Sequence, residues 1–428
     1  MILPDIARPL TRAYRDLTIE WSEERTARLV EQVKEGAIDG AVLALSPGGA
    51  ARRCARRSSA SRARCARRCP AAEELHWRPA MRRALAIIVL VGIVAGVAAC
   101  RDGARDEPGR VRIVERAGVA MGSELRLTAW ATDDAAVRSA FDAVFAEFER
   151  LEAQMSTWRP GSDVLRINAA AGDHAVPVAA DVRDVLRLAR QVSEWTEGTF
   201  DVTFGALSDV WKFDHDQDNT IPSPEAIRAR LPLIDYRQIE IDDRAGTVFL
   251  KRTGMKIHLG GIGKGYAVEH ATRILRRAGL RDFMIQAGGD LYVGGHKDGR
   301  PWRLGINDPR GPEGRSFATI DLTDSTFSTS GDYARFFMKG GVRYHHILDP
   351  ATGQPARLCR SVTIAAESPV LADAVAKGVF ILGPEKGMAL VERIPRLGAV
   401  IVTAKNEVLV SSGLKDRFVL LAPPTNAP

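Results

Sequence analysis

Beyond residue 100 the sequence has a single cysteine, Cys359, so the main body can hold no internal disulfide. The other four are Cys54, Cys65, Cys69 and Cys100. The first three stand in an Arg/Ala/Ser-rich tract without the paired ligands and histidines of a zinc finger, which reads as low complexity. The body also lacks excess charge. The chain carries 60 Lys+Arg against 53 Asp+Glu, a net +7, but residues 1–80 hold 15 basic and 10 acidic residues and Arg82 and Arg83 add two more positives. The remainder balances, which excludes a basic nucleic-acid-binding body. Neither nucleotide fingerprint occurs at the richest glycine stretch: GxxxxGK[ST] would need Gly at His258 and Ser or Thr at Gly265, and GxGxxG is missing. That argues against a dinucleotide-dependent dehydrogenase. No repeat of fixed period is visible.

What is present begins with a targeting pattern. Met81-Arg82-Arg83 precedes sixteen uncharged residues, Ala84 to Ala99, and then Cys100. A short basic segment, an apolar core and small residues before a cleavage point make a secretory signal, and the core is short for a spanning helix. Val97-Ala98-Ala99-Cys100 resembles a bacterial lipobox, whose Cys becomes the lipidated first residue. The expected organisation is therefore 1–80, a low-complexity upstream extension with translation starting natively at Met81; 81–100, a lipoprotein signal; 101–109, a tether; and 110–424, the functional domain. A cytoplasmic N-terminal arm and an uncleaved signal anchor are the alternatives.

The 428 residues, 45% hydrophobic and 26% charged, suffice for a sizeable core. Alternation predicts two strands across Val111 to Trp130, broken at Ala120-Met121-Gly122-Ser123. Thr132 is expected to cap a long helix whose apolar stripe runs Val137, Phe141, Val144, Phe145, Phe148, Leu151, Met155. Helices are also expected over Ala180–Trp195, Ser223–Leu231, Tyr266–Ala278 and Val370–Leu382. Strands are expected over Phe283–Gln286, Trp302–Ile306, Ser316–Leu322, Thr326–Thr329 and Ser361–Ala366, with hairpins over Ile239–Lys251 and Leu397–Ser411. Strands and helices mix without regular βαβ alternation, so the expected class is α+β.

The chemistry-bearing residues share one pattern, a glycine turn beside a polar group. Leu259 to Ala267 holds four glycines within six residues around Lys264, ahead of a helix. Backbone donors, a helix N-terminus and a lysine suit a phosphate, although a tight turn with a surface lysine would read the same way. Gly288-Gly289-Asp290 is a second such turn. Asp373 is a hard oxygen ligand of the kind Mg²⁺ takes, and shares a helix face with Lys377 one turn on. His346 is a candidate general base.

Seven motifs then stand in one order: Met121-Gly122-Ser123; Met155 to Arg159; Gly198 to Gly205; Leu259 to Ala267; Gly288-Gly289-Asp290; His346 to Pro350 with Thr352-Gly353; and Ala372-Asp373 with Leu382-Gly383-Pro384. Their set and order resemble the ApbE family of bacterial FAD:protein FMN transferases, over roughly Val111 to Leu421. The resemblance implies a single ApbE-like, T-fold-related α+β domain. It implies Mg²⁺-dependent cleavage of FAD, with FMN passing to a Thr or Ser hydroxyl of a target protein and AMP leaving. By similarity Met121, Trp158, Thr199, Phe200, Asp201, His258, Lys264 and Ile347 would line the FAD site. Asp373 and a backbone oxygen near Gly261 would bind Mg²⁺, and His346 and Asp373 would be catalytic. The acceptor would be a membrane electron-transport subunit. The enzyme would face the periplasm from the inner membrane, anchored through Cys100, with no nucleic acid involved.

Three positions depart from the family pattern: His258 stands where Asp is usual, Gly263 where Ala is, and Lys377 where Thr is. An ammonium cannot coordinate metal. Either Lys377 contacts a phosphate beside a weakened Mg²⁺ site, raising a Mg²⁺ requirement that Lys377→Thr would reverse, or the metal rests on Asp373, backbone and water. Two competing activities keep the same site: FAD binding without transfer, which Lys377 favours, and Mg²⁺-dependent hydrolysis of FAD to FMN and AMP.

Overall fold

The computed structural model describes residues 111–214 and 216–427, all within one unit, Ala104–Pro428. The upstream extension, the signal with Cys100, and the tether lie outside the described residues. Along the chain run β1 (Arg112–Ala120), β2 (Ser123–Ala131), α1 (Asp134–Met155), α2 (Asp163–Ala169), β3 (Val176–Pro177), α3 (Ala180–Trp195) and α4 (Pro224–Arg228). Next come β4 (Ile239–Asp242), β5 (Thr247–Leu250), α5 (Gly263–Arg277), β6 (Phe283–Ala287), β7 (Asp290–Gly294), β8 (Trp302–Asn307), β9 (Ser316–Leu322) and β10 (Ser325–Gly331). The chain closes with β11 (Phe336–Lys339), β12 (Val342–His345), β13 (Cys359–Ala366), α6 (Pro369–Leu382), α7 (Pro384–Arg393), β14 (Gly398–Thr403), β15 (Val408–Val410) and β16 (Phe418–Leu420). The α+β expectation holds.

Among the described residues the largest sheet has the order β1-β2-β6-β7-β10-β13-β14-β15, antiparallel at every pairing. Strand β14 buries both faces, so it reads as an apolar run rather than a clean alternation. In β14 all six residues are buried. Ala399 and Ile401 join the core that contains Val268, Val375 and Phe380 of helices α5 and α6. Val400 and Val402 face a second core with Trp302, Ile306, Phe317 and Ile320 of β8 and β9. The sheet is thus the middle layer, helices on one side and the β16-β9-β8 sheet on the other. A smaller cluster of Leu207, Trp211, Phe213, Ile227, Phe337 and Leu348 supports the β11–β12 hairpin.

Helix α1 is capped by Asp133 rather than Thr132. Asp133 Oδ1 accepts from the N–H groups of Ala135 and Ala136 at 2.9 and 3.0 Å, satisfying two donors that the helix leaves unpaired. Helix α3 has the bounds its periodicity predicts. Arg150 of α1 ties Glu147 and Asp181 together at 2.6 and 2.7 Å, and Tyr266 of α5 donates to Asp181 at 3.0 Å. These contacts hold α1, α3 and α5 in register beneath the sheet.

Candidate active site

Helix α5 starts at Gly263, three residues earlier than its apolar stripe indicates, so the glycine stretch runs into the helix and Lys264 stands in the first turn. Gly265 is where α5 meets α6. A Cβ there would lie 2.5 Å from the Pro369 carbonyl oxygen, 2.6 Å from Asp373 Cβ and 2.9 Å from Val370 Cα. Only glycine permits that approach. It lets the Gly265 N–H donate to Asp373 Oδ2 at 2.8 Å. The other oxygen, Oδ1, accepts from Lys377 Nζ, one turn along α6. Asp373 is 0% exposed and Lys377 is partly buried.

A second carboxylate joins them. Asp290, at the start of β7 and 3% exposed, accepts from Ser328 Oγ of β10 at 2.5 Å and lies 3.6 Å from Lys264 Nζ. Burial, and then the Asp373 charge, raise the proton affinity of Asp290. Burial works the same way on Asp373, but Lys377 and Lys264 outweigh it and hold that carboxyl below the usual range. For Lys377 burial disfavours the ammonium, yet Asp373 and Asp290 more than offset this and keep it charged. The result is two ammoniums and two carboxylates at the N-terminus of α5. Asp290 was not among the assigned site residues, although its Gly-Gly-Asp turn was a visible signal.

The surrounding wall comes from distant segments. The β1–β2 turn places both Met121 (φ 48°) and Gly122 (φ 71°) in the left-handed region, as a two-residue hairpin demands. For Met121 this conformation costs on the order of 1–3 kcal/mol. Its backbone N–H donates to Glu152 at 3.0 Å, and its Cε sits 3.9 Å from where a Gly263 Cβ would stand. Phe200 Cε2 approaches the corresponding point on Gly261 at 3.4 Å. Thr199 Oγ is within hydrogen-bonding distance of the carbonyls of Thr196 and Gly378, at 2.9 and 3.2 Å. Trp158 stands 53% exposed three residues beyond Met155, whose Sδ lies 3.9 Å from that same Gly263 point.

Asp201, expected by similarity to line the FAD site, is held within its own loop. Its carboxylate accepts from Thr203 N–H, Thr203 Oγ and Tyr236 N–H at 2.8, 2.6 and 2.8 Å, and burial raises its proton affinity. Its side chain is committed to the fold and positions the Thr199–Phe200 loop. Ile347 is likewise buried, with its N–H toward His345 and its carbonyl accepting from Ala356, so only its side chain is left for packing.

The histidines form the other half. Burial lowers the pKa of His258, opposed by Asp214. His258 Nδ1 accepts from the Gly260 N–H at 3.0 Å, which leaves the proton on Nε2 as a donor. Its ring leans on Phe204 with centroids 5.4 Å apart. His346 has its backbone N–H and its Nδ1 on the Arg335 carbonyl, at 3.1 and 3.3 Å, with Arg335 itself paired to Asp214. A proton held on Nδ1 leaves the Nε2 lone pair as a base. Burial first, then the Arg335 and His345 charges and, more weakly, Lys377, push the His346 pKa down to about 3, so the ring is neutral near pH 7. The negative charge of a bound pyrophosphate would raise its proton affinity.

The neighbouring His345 is structural. Its Nε2 donates to the Ala356 carbonyl at 2.8 Å while Nδ1 accepts from the Ile347 N–H at 3.3 Å, an arrangement only a neutral ring satisfies. Burial holds its pKa at about 4 against 6.5 for the free side chain. A depressed folded-state pKa means stability is present above pH 6.5 and is lost as pH falls from 6.5 to 4, by about 3 kcal/mol. Urea unfolding of His345→Gln across that window is expected to show a shallower loss than wild type; equal slopes would contradict it.

The implied magnesium site can be tested against these residues. Both Asp373 oxygens are engaged, and the nearest charged group is an ammonium. Lys377 Cδ lies 4.0 Å from the Gly261 Cβ position, so its stem passes beside one of the two proposed ligand positions. Among the described residues no group of three or more His, Cys, Asp or Glu side chains is placed to hold a metal ion. The residues do not fit a divalent ion at Asp373 while Lys377 holds it.

Comparison with known proteins bears on the whole arrangement. The model of the ApbE family matches residues 121–401. A FAD:protein FMN transferase of Treponema pallidum is 34% identical over 365 residues, covering 81% of this chain and 96% of the relative. The structure of the ApbE protein from Thermotoga maritima superposes with a TM-score of 0.65 at 33% identity, covering 71% of this chain and 98% of that one. The flavin transferase ApbE from Vibrio cholerae superposes with a TM-score of 0.65 at 28% identity, covering 72% and 99%.

Proposed function

The chain belongs to the ApbE family, and from that premise we propose that it transfers FMN from FAD to a Thr or Ser hydroxyl of a protein, releasing AMP. The observation that carries this reading is the cluster of Lys264, Lys377, Asp290 and Asp373 at the N-terminus of α5. Phosphoryl transfer needs little covalent chemistry from the protein; it needs positioning, cations at the phosphates and a base for the nucleophile. Lys264 and the α5 N-terminus supply positive potential for the pyrophosphate. Met121, Phe200 and the exposed Trp158 offer apolar surface to the flavin and adenine rings.

In the reaction the acceptor oxygen attacks the FMN-side phosphorus and its proton passes to His346 Nε2. The bond from that phosphorus to the bridging oxygen breaks, and AMP leaves with that oxygen as part of its phosphate. Magnesium belongs to what the family resemblance implies; here Asp373 already holds the Lys377 ammonium, and the steps above use protein groups alone. The proposed acceptor is a membrane electron-transport subunit. Residues 81–100 support a lipid anchor at Cys100 and a periplasmic site of action; among the described residues no helix is long and apolar enough to cross a membrane.

Chromatography of the nucleotide products tests the reading. With acceptor present, AMP is expected without free FMN; equal amounts of free FMN and AMP would instead indicate hydrolysis.

A further inference from the structure

We propose, resting on the transferase reading, that this enzyme needs no divalent ion at Asp373, because the Lys377 ammonium is the built-in cation that meets the pyrophosphate. Three observations converge on it. Asp373 Oδ1 accepts from Lys377 Nζ and Oδ2 from the Gly265 N–H at 2.8 Å, so a divalent ion would meet a carboxylate that already holds an ammonium. The Lys377 stem runs past Gly261, with Cδ 4.0 Å from the Cβ position there. Two lysines, Lys264 and Lys377, also face the two carboxyl groups of Asp290 and Asp373. With a neutral residue at 377, Asp373 would lose the ammonium on its Oδ1.

Mg²⁺ demands about six oxygen ligands in near-octahedral geometry, whereas an ammonium brings three N–H donors and no lone pair. Asp373 accepts one of these donors, and the others suit phosphate oxygens. Lys377 keeps its proton throughout. It faces the charge that gathers on the AMP-side oxygen as the phosphorus–oxygen bond breaks, while the acceptor's proton goes to His346.

The test uses the whole purified protein, wild type beside Lys377→Thr. FMN transfer is measured in EDTA and again with excess Mg²⁺, and Mn²⁺ binding in the presence of FAD is followed by electron paramagnetic resonance. Wild-type transfer is expected to change less than about twofold with EDTA, and wild type is expected to bind no Mn²⁺ at this site. The Thr variant in EDTA is expected to lose at least about a hundredfold, to recover with Mg²⁺, and to bind Mn²⁺. Wild-type transfer that collapses in EDTA and returns with Mg²⁺ would overturn the inference. So would Mn²⁺ bound to wild type and lost in Asp373→Ala. Should neither protein transfer FMN under any condition, the transferase reading fails by itself, and Mn²⁺ binding still decides this inference.

Discussion

Gly265→Ala is expected to reduce FMN transfer by more than about a hundredfold, since misplacing a reacting group by about 1 Å costs that much. The added methyl would stand 2.6 Å from Asp373 Cβ and 2.5 Å from the Pro369 carbonyl oxygen, both far inside contact distance. Helices α5 and α6 would have to part there. The Gly265–Asp373 hydrogen bond would stretch, and the Lys377 ammonium would move with its carboxylate. Overpacking of this kind also costs about 1–3 kcal/mol of stability. Gly263→Ala is the matched control: its methyl would meet nothing nearer than 3.9 Å, and it sits in the first turn of the same helix. That variant is expected to keep activity within about twofold and to gain up to about 1 kcal/mol from better helix propensity. Steady-state transfer rates and urea midpoints of the two variants check both expectations. Wild-type rates in Gly265→Ala would remove the α5–α6 contact from the account.

His346→Ala is expected to lower the transfer rate by about 10²–10⁴-fold, the range for loss of a general base, with FAD affinity little changed. The ring is anchored through the Arg335 carbonyl, and Arg335 is held by Asp214, so the base is set by a chain of contacts reaching outside the phosphate cluster. Fluorescence titration of FAD beside single-turnover transfer separates the two effects. A rate that survives the substitution would assign the base elsewhere. Joint loss of affinity and rate would make His346 a binding group instead.

Much of the fold was legible because one-sided helices betray themselves. The stripe of α1 and the bounds of α3 follow from period alone. The misses have local causes. Helix α5 begins among glycines, which read as turn because their helix propensity is poor, yet tertiary contact with α6 overrides it. Helix α7 was hidden behind Gly383-Pro384, which reads as the end of α6; Gly383 (φ 83°) in fact closes one helix and opens the next, with Pro384 at the favoured first position. The β11–β12 hairpin is short and only partly buried, so it carries little pattern. Helix α2 spans only seven residues, too few for a period.

The site was partly legible for a related reason. Asp373 and Lys377 share a helix face by spacing, and the structure pairs them. The second donor to Asp373 is the Gly265 N–H, 108 residues away in sequence, and no local pattern could reveal it. Asp201 is named for the FAD site by similarity alone, and the sequence does not show what its carboxylate holds. Its three hydrogen bonds to Thr203 and Tyr236 appear only once the loop is folded. Asp290 was visible as a turn residue, but its partners Ser328 and Lys264 come from another strand and a helix.

The most direct measurement of the central claim is the intact mass of an acceptor domain carrying an accessible Thr, after incubation with the protein and FAD. Wild type is expected to add the mass of one FMN to the acceptor, and His346→Ala is expected to add none over the same time. An acceptor of unchanged mass, with FAD demonstrably bound to the protein and the Thr accessible, would contradict the transferase account.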